Sequence, residues 1–313
     1  MRRFRLALSL FALLLLQSCS AARPMDFSAQ VLPHSDLQLP QLMVYVVSEE
    51  TLHPMDIETY VAGVVAGEMP NTWPLEALKA QAILARTFVL KFVTEKESRY
   101  PGADISTDIA EAQAYDAAAV NERVRQAVQE TAGLILRTAD GALPYTWFHS
   151  HSGGMTETAA DGIDWQGDEP AYIRPMPGND APDAPTQVQA WTAEFSEEEF
   201  LAACRKAGAA VTSCETAEVG QKGQSGRAVT ILVDGTTVNA ARLRISLGSS
   251  KMRSTLLTEL STADGVIRMA GRGYGHGVGM PQWGAYALAQ QGMSGEEIAL
   301  HYYQGLKLVR AWE

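Results

Sequence analysis

Tyr60-Val-Ala-Gly-Val-Val-Ala-Gly-Glu-Met-Pro70 and the adjoining Asn71-Thr-Trp-Pro-Leu-Glu-Ala-Leu-Lys-Ala-Gln-Ala-Ile-Leu-Ala-Arg86 predict two helices joined by a tight Met-Pro-Asn turn. Asp56 is a suitable N-cap for the first helix, whose apolar residues recur at helical spacing. The same face, followed toward the carboxyl end, reaches Glu68 just before the proline. The sequence therefore places a carboxyl group on the buried side of a helix end.

Two features of this position are expected to raise the pKa of Glu68. Desolvation disfavours the anion, and the negative end of the helix dipole acts in the same direction. An exposed glutamate has a pKa of about 4.3, which is too low for a general acid at neutral pH. Two interpretations stay open: Glu68 donates a proton in catalysis, or it turns to solvent or pairs with a nearby arginine.

Arg86 lies on the buried stripe of the second helix, which Leu75, Leu78 and Val89 also mark. A buried arginine is rare unless it is paired. A tight pair with Glu68 would hold that carboxyl group ionised and prevent it from acting as an acid. Arg86 is therefore either part of a structural ion pair or a binding residue for an anionic group of a substrate beside Glu68.

The first 40 residues are typical of an export signal followed by a tether. Residues 1–18 combine a basic start with an apolar core, which predicts a signal peptide too short to span a bilayer. Leu16-Gln-Ser-Cys19 resembles a lipoprotein signal box, so Cys19 is the predicted lipidation site and residues 19–40 a flexible tether. Cleavage by an ordinary signal peptidase is the alternative, because Gln17 is unusual at its position. The folded domain is predicted over residues 41–313.

Cysteine content agrees with an exported protein, and the net charge bears on its partners. Cys204 and Cys214 are close in sequence, and we expect a disulfide between them, with two buried free thiols as the alternative. The net charge of -11 argues against nucleic acid as a partner.

The order of the predicted elements indicates an α+β fold, because helices and strands mix without a repeating βαβ pattern. The helix pair is expected to pack on mixed, mainly antiparallel strands, and an arrangement of two lobes with a cleft between them fits this pattern. The other predicted elements are a strand over 42–48, a helix over 122–130, a hairpin of strands 134–137 and 145–149 with an Asp140-Gly141 turn, an irregular connection over 168–187, a helix that begins near Ser196, and a strand over 228–233.

The segment Phe148-His-Ser-His-Ser-Gly-Gly154 follows a predicted strand. His149 and His151 would project to the same side of an extended chain, which suits a metal. No third ligand is visible nearby, so we predict no metal or other cofactor, with zinc on this pair as the alternative. A Gly-Gly turn stabilised by backbone hydrogen bonds is the simpler interpretation.

A glycine-rich segment, Gly271-Arg-Gly-Tyr-Gly-His-Gly-Val-Gly-Met-Pro-Gln-Trp-Gly284, lies near the carboxyl terminus. Alternate glycines free one face for close approach of a ligand or of another backbone segment. Tyr274, His276 and Gln282 would supply the mixed polar and aromatic lining expected of a sugar site. A tightly packed pair of glycine-containing strands explains the composition equally well.

Three stretches, residues 61–87, 149–157 and 273–285, together resemble the stage II sporulation protein D (SpoIID) and LytB family of cell-wall proteins. The resemblance extends from about residue 40 to the end. It implies a lytic transglycosylase that cleaves peptidoglycan and prefers glycan strands stripped of stem peptides. It also implies that Glu68 is the catalytic acid and base, and it places Arg86 and Gln282 in the site.

The same resemblance suggests further residues at the substrate: Phe148, His149, Ser152, Gly153, Tyr274 and His276. Some members of the family hold zinc near the Ser-Gly-Gly segment with cysteine and histidine, whereas Cys204 and Cys214 lie elsewhere in this chain. Other relatives are enhancers of a cell-wall amidase, which is the non-catalytic alternative. The expected partners are glycan strands, an amidase and, through the lipid anchor, a membrane facing the cell wall or periplasm.

Overall fold

The computed structural model describes residues 39–312, and the first strand begins at Gln41. The predicted signal peptide, the lipidation site Cys19 and nearly all of the tether lie outside the described residues. The helices are α1 (Ile57–Glu68), α2 (Leu75–Glu95), α3 (Glu122–Glu130), α4 (Ala159–Ile163), α5 (Thr186–Gln189), α6 (Glu197–Lys206), α7 (Ala240–Leu247), α8 (Gln282–Gln290) and α9 (Gly295–Tyr302). The strands are β1 (Gln41–Val46), β2 (Thr51–Asp56), β3 (Ile105–Ser106), β4 (Leu134–Arg137), β5 (Phe148–His149), β6 (Ala190–Ser196), β7 (Ala217–Val219), β8 (Thr230–Val233), β9 (Thr236–Asn239), β10 (Leu257–Ala263), β11 (Val266–Arg272), β12 (Met280–Pro281) and β13 (Lys307–Arg310).

The strands form small, mostly antiparallel sheets, and together with the helices they confirm the predicted α+β class. The sheet orders are β2-β1-β3, β10-β11-β6, β7-β8-β9, β13-β4 and β12-β5. Only the β1–β3 and β12–β5 pairs are parallel among the described strands, and none of the described sheets closes into a barrel.

The larger of two hydrophobic cores is built around α2, against which α1, α3, α8 and α9 pack. Ala80, Ala82 and Ala85 let the neighbouring helices approach, since they are fully buried and short. The predicted start of α1 is confirmed: the Asp56 side chain accepts a hydrogen bond of 2.9 Å from the Thr59 N–H. The predicted helix pair is therefore the centre of this core.

The second core is formed by the β10-β11-β6 and β7-β8-β9 sheets together with helices α6 and α7. Phe195, Phe200 and Ile267 are among its buried side chains. The predicted helix start at Ser196 is confirmed, because its hydroxyl oxygen accepts a hydrogen bond from the Glu199 N–H at 3.2 Å.

The predicted disulfide is wrong for this structure, in which Cys204 and Cys214 are buried free thiols. Burial raises the pKa of Cys204 to about 12 and the pKa of Cys214 to about 11. Disulfide formation proceeds through a thiolate, and this environment disfavours it. The alternative of two buried thiols is the one observed.

The predicted hairpin around Asp140-Gly141 is also wrong. Strand β4 pairs with the carboxyl-terminal strand β13, and β5 pairs in parallel with β12. The buried residues Ile135 and Leu136 of β4 are matched by Val309 and Leu308 of β13, so a distant apolar partner replaces the local one.

Candidate active site

A cavity of about 430 Å³ lies beside the larger core, and Arg244 of α7 contributes to its wall. Its size falls within the range of ligand sites, about 300–1,000 Å³. Its wall consists of Glu68, Phe88, Ile109, Ala112, Gln113, Thr146, Trp147, Phe148, His149, Ser150, Arg244, Tyr274, Gly275, His276 and Gln282. The structure therefore brings Glu68 together with five other predicted site residues: Phe148, His149, Tyr274, His276 and Gln282.

Glu68 is held at the carboxyl end of α1, which ends where Met69 donates its N–H to the Val65 carbonyl at 3.0 Å. Gly67 allows the 113–116 segment to pack on the helix, since a Cβ at Gly67 would lie 2.7 Å from the Tyr115 nitrogen. Through this approach the Ala114 N–H donates to Oε1 of Glu68 at 2.8 Å.

Gln282, the first residue of α8, contacts the second carboxyl oxygen of Glu68 and its backbone carbonyl. Its Nε2 lies 3.1 Å from the Glu68 carbonyl oxygen and 3.4 Å from Oε2 of the Glu68 carboxyl group. This contact joins two segments more than 200 residues apart in sequence. Both hydrogen-bond donors to the Glu68 carboxyl group are neutral.

Burial raises the pKa of Glu68, while the hydrogen bonds from Ala114 and Gln282 lower it by less. No described cationic side chain contributes to this balance. Glu68 can therefore hold a proton at a higher pH than an exposed glutamate can, and both of its donors remain in place when the proton leaves.

The assignment of Arg86 to substrate binding is wrong, because this side chain is fully buried and does not line the cavity. Its Nη2 lies 2.6 Å from Oε2 of Glu58, and its Nε lies 3.0 Å from Oε1. Nη1 also donates to the Leu134 carbonyl at 3.0 Å. Arg86 therefore belongs to a structural ion pair, with Glu58 rather than Glu68 as its partner.

The two histidines in the wall are neutral. Nδ1 of His149 faces the Val278 carbonyl at 3.1 Å, so this nitrogen carries the proton, and the buried Nε2 has no hydrogen-bond partner within residues 39–312. Burial, followed by the charges of Arg244 and Arg227, lowers the pKa of His276 to about 3. Its Nδ1 accepts a hydrogen bond from the Val278 N–H at 3.0 Å.

Ser152 and Gly153, also predicted at the substrate, do not line the cavity. The Ser152 N–H donates to Oδ1 of Asp180 at 2.9 Å, and the serine hydroxyl donates to Oδ2 of the same carboxylate. Gly153 has a φ of 75° and donates its N–H to Nδ1 of His151 at 3.0 Å. These residues form a turn outside the cavity lining, which agrees with the simpler interpretation of a Gly-Gly turn stabilised by hydrogen bonds.

The described residues supply no third zinc ligand beside His149 and His151. Nδ1 of each histidine is occupied, by the Gly153 N–H at His151 and by a backbone carbonyl at His149. Within residues 39–312 no group of three or more His, Cys, Asp or Glu side chains is arranged to hold a metal. The prediction that the chain needs no cofactor stays a prediction.

The glycine-rich segment packs against protein on its glycine side. A Cβ at Gly275 would lie 2.5 Å from the Cβ of His149, and one at Gly277 would lie 2.5 Å from the Arg227 guanidinium. Close packing of these glycines places the intervening Tyr274 and His276 in the cavity wall.

The chain is similar to known proteins over most of its length. Residues 46–137, which include α1 and α2, match the family model described as stage II sporulation protein. The chain is 31% identical over 282 residues to stage II sporulation protein D of Bacillus amyloliquefaciens, covering 86% of this chain and 78% of that protein. The chain belongs to the stage II sporulation protein D family.

Two further relatives come from Bacillus subtilis. Its stage II sporulation protein D is 27% identical over 304 residues, with 93% of this chain and 84% of that protein covered. A protein named amidase enhancer is 26% identical over 298 residues, with 79% of this chain but 40% of that protein covered. The SpoIID-family likeness therefore extends over most of this chain.

Sequence reasoning missed nine of the fifteen wall residues, among them the polar or aromatic Gln113, Thr146, Trp147 and Arg244. For Arg244 a signal existed, because Ala240, Arg244 and Leu247 share the buried face of α7. Gln113 carries no such signal, since it lies in a loop that long-range packing places beside α1.

Proposed function

We propose that the chain is a peptidoglycan lytic transglycosylase that cleaves the bond between N-acetylmuramic acid and N-acetylglucosamine. One observation carries the proposal: within residues 39–312, Glu68 is the only carboxyl group that lines the cavity. A glycosidase that activates water ordinarily needs a second carboxylate, about 5–9.5 Å from the first. A reaction in which the sugar supplies its own nucleophile needs only one. Membership of the SpoIID family supports the same cell-wall role.

In the first step protonated Glu68 donates its proton to the glycosidic oxygen as the bond from C1 of N-acetylmuramic acid to that oxygen breaks. The raised pKa of Glu68 supports the acid form. The carboxylate that results keeps the hydrogen bond from Ala114 at 2.8 Å and the longer contact with Gln282 at 3.4 Å. These donors are directed at the charge that develops on Glu68.

In the second step the Glu68 carboxylate takes the proton from the 6-hydroxyl group of the same sugar. As this proton leaves, the oxygen of the 6-hydroxyl group forms a bond to C1. The products are a 1,6-anhydro-N-acetylmuramic acid end and a free 4-hydroxyl group on N-acetylglucosamine. Glu68 regains its proton, and no water is consumed. Trp147, Phe148 and Tyr274 supply apolar ring surface in the wall against which sugar faces can pack.

Mass spectrometry of soluble products tests the reaction. The full chain is incubated with glycan strands freed of stem peptides by an amidase, in parallel with the Glu68→Gln variant. We expect anhydro ends from the native chain and none from the variant. Reducing ends from the native chain would contradict the proposal and require a second carboxylate.

A non-catalytic amidase enhancer is the second candidate, and the relative of that name supports it. Glycan binding without any product, together with faster cleavage by a cell-wall amidase, would favour this candidate over the enzyme.

Both functions require export, for which the signal peptide and the lipid anchor at Cys19 are our proposal. None of the helices in the described part of the chain is long and apolar enough to cross a membrane.

A further inference from the structure

Arg244 is a buried cation in the wall that also contains Glu68. It lies on α7 and is 7% exposed, whereas Arg242 on the same helix is exposed and pairs with Asp164 at the surface. The helix therefore carries one arginine for the surface and one for the cavity.

The guanidinium group of Arg244 is anchored at one end only. Its Nε donates to the Arg253 carbonyl at 3.0 Å. The terminal nitrogens Nη1 and Nη2 have no hydrogen-bond partner in residues 39–312, and neither is among the fully enclosed polar atoms of that region. The two ends of the guanidinium fork are therefore available to a ligand in the cavity.

The other two buried arginines of the described region have acidic neighbours. Arg86 is paired with Glu58, and Arg227 is favoured in its charged form by Glu157 and Asp180. For Arg244, Tyr274 is the only described residue that favours the charged form. Burial lowers the pKa of Arg244 to about 10, so the group is still a cation at neutral pH. A buried charge without a counter-ion is unfavourable, which makes an anionic ligand group the missing partner.

The rest of the wall does not supply that anion. His149 and His276 are neutral, and Glu68 in its acid form carries no charge. A carboxylate suits the open fork best, because its two oxygens match two parallel N–H donors.

We propose that Arg244 is a specificity-determining residue that binds the lactyl carboxylate of N-acetylmuramic acid. The inference rests on the proposed function, because it takes the sugar beside the scissile bond as the ligand. In strands that carry stem peptides this carboxyl group is an amide without charge. Removal of the peptide exposes the anion, so Arg244 gives a physical reason for a preference for peptide-free glycan. Arg244 therefore takes the role that the sequence suggested for Arg86, which is binding of an anionic substrate group beside Glu68.

Calorimetric binding to two matched probes tests this assignment. The first probe is a peptide-free glycan oligosaccharide with free lactyl carboxylates, and the second is the same material with those groups converted to methyl amides. The full chain carrying Glu68→Gln is used, so that the probes are bound but not cleaved. The same titrations are repeated after adding Arg244→Gln or, as a matched control on the same helix, Arg242→Gln.

We expect the carboxylate probe to bind about 10-fold or more tightly than the amide probe, as a charge-assisted hydrogen bond implies. Arg244→Gln should remove this difference, and Arg242→Gln should keep it. The melting temperature of Arg244→Gln should stay equal or rise, because an uncompensated buried charge is removed. A structural arginine would lower it.

Equal binding of both probes by the chain with Arg244 would overturn the inference without using any Arg244 variant. If the native chain still forms anhydro products in that case, the proposed function stands and only the role of Arg244 falls. If it forms no products and the Glu68→Gln chain binds neither probe, the proposed function fails first.

Discussion

Helix α1 carries a glutamate at each end, and the two are surrounded differently. Glu58, in the first turn, accepts hydrogen bonds from Arg86, from the Gly133 N–H at 2.9 Å and from the Trp312 indole at 3.0 Å. Glu68, in the last turn, has two neutral hydrogen-bond donors, and no cationic side chain among the described residues is hydrogen-bonded to it. The same residue type is therefore an ion-pair partner at one end and, in the proposed reaction, a proton donor at the other.

The difference shows how the fold keeps an acid protonatable inside a helix bundle. The helix dipole favours a carboxylate at the amino end and disfavours one at the carboxyl end. Arg86, the buried cation nearest in sequence to the predicted site, is fully engaged by Glu58 and by backbone carbonyls. Because this arginine is held at Glu58, its guanidinium group does not pair with the Glu68 carboxyl group.

The largest expected effect is on turnover. Glu68→Gln should reduce the rate of glycan cleavage by about 10³-fold or more, since it removes both the acid and the base. In the folded native chain the pKa of Glu68 is raised, so the ionised form of Glu68 destabilises the fold at a pH above that value. The neutral variant should therefore melt no lower than the native chain at pH 7. Initial rates of soluble product release measure the loss of turnover, and melting curves of both proteins measure the change in stability.

Glu58→Gln is the matched control for that experiment, because it makes the same change at the other end of the same helix. We expect its rate per folded molecule to stay within a few-fold of the native value. A folded Glu58→Gln protein that is as inactive as Glu68→Gln would contradict the division of roles.

The second effect is on stability. Glu58→Gln or Arg86→Gln should lower the free energy of unfolding by about 3 kcal/mol, because each leaves a buried group without its charged partner. The double variant should lose clearly less than the sum of the two, since the residues are in direct contact. Chemical denaturation of the four proteins gives these values. Additive losses would show that the pair is not coupled.

The third effect is on the pH profile. Because burial raises the pKa of Glu68, its proton should be retained to a higher pH, and kcat should fall only as the pH rises through that raised value. The midpoint of the alkaline limb should lie above about 4.3, the pKa of an exposed glutamate. A limb centred at or below that value in rate measurements across pH would mean that Glu68 is not the acid.

The smallest effect concerns Gln282, whose hydrogen bond lowers the pKa of Glu68. Gln282→Leu should therefore shift the alkaline limb to higher pH, by about one unit or less. Gln290→Leu, an exposed position at the end of the same helix, should leave it unchanged. A shift to lower pH in the Gln282 variant would reverse the inferred sign.

Local signals predicted much of the fold. Asp56 and Ser196 were identifiable as helix caps, and the apolar spacing of α1 placed Glu68 at a helix end. These features depend on neighbours within one turn of helix, which the sequence displays directly.

Long-range partners escaped prediction. Glu58 as the partner of Arg86, β13 as the partner of β4, and Gln282 beside Glu68 all join distant segments. Periodicity shows that Arg86 is buried, but it does not show which carboxylate the side chain reaches. The same limit explains why Arg244 was missed. Helical spacing indicates that Arg244 lies on the buried face of α7, but the cavity beside it is formed by residues from elsewhere in the chain.

The most direct test of the account is cleavage of peptide-free glycan by the full chain in water enriched in oxygen-18. A single carboxyl group that acts first as acid and then as base predicts 1,6-anhydro ends that carry no solvent oxygen. Oxygen-18 at C1 of the new N-acetylmuramic acid ends would show that water is the nucleophile, and would contradict the proposed transglycosylase reaction.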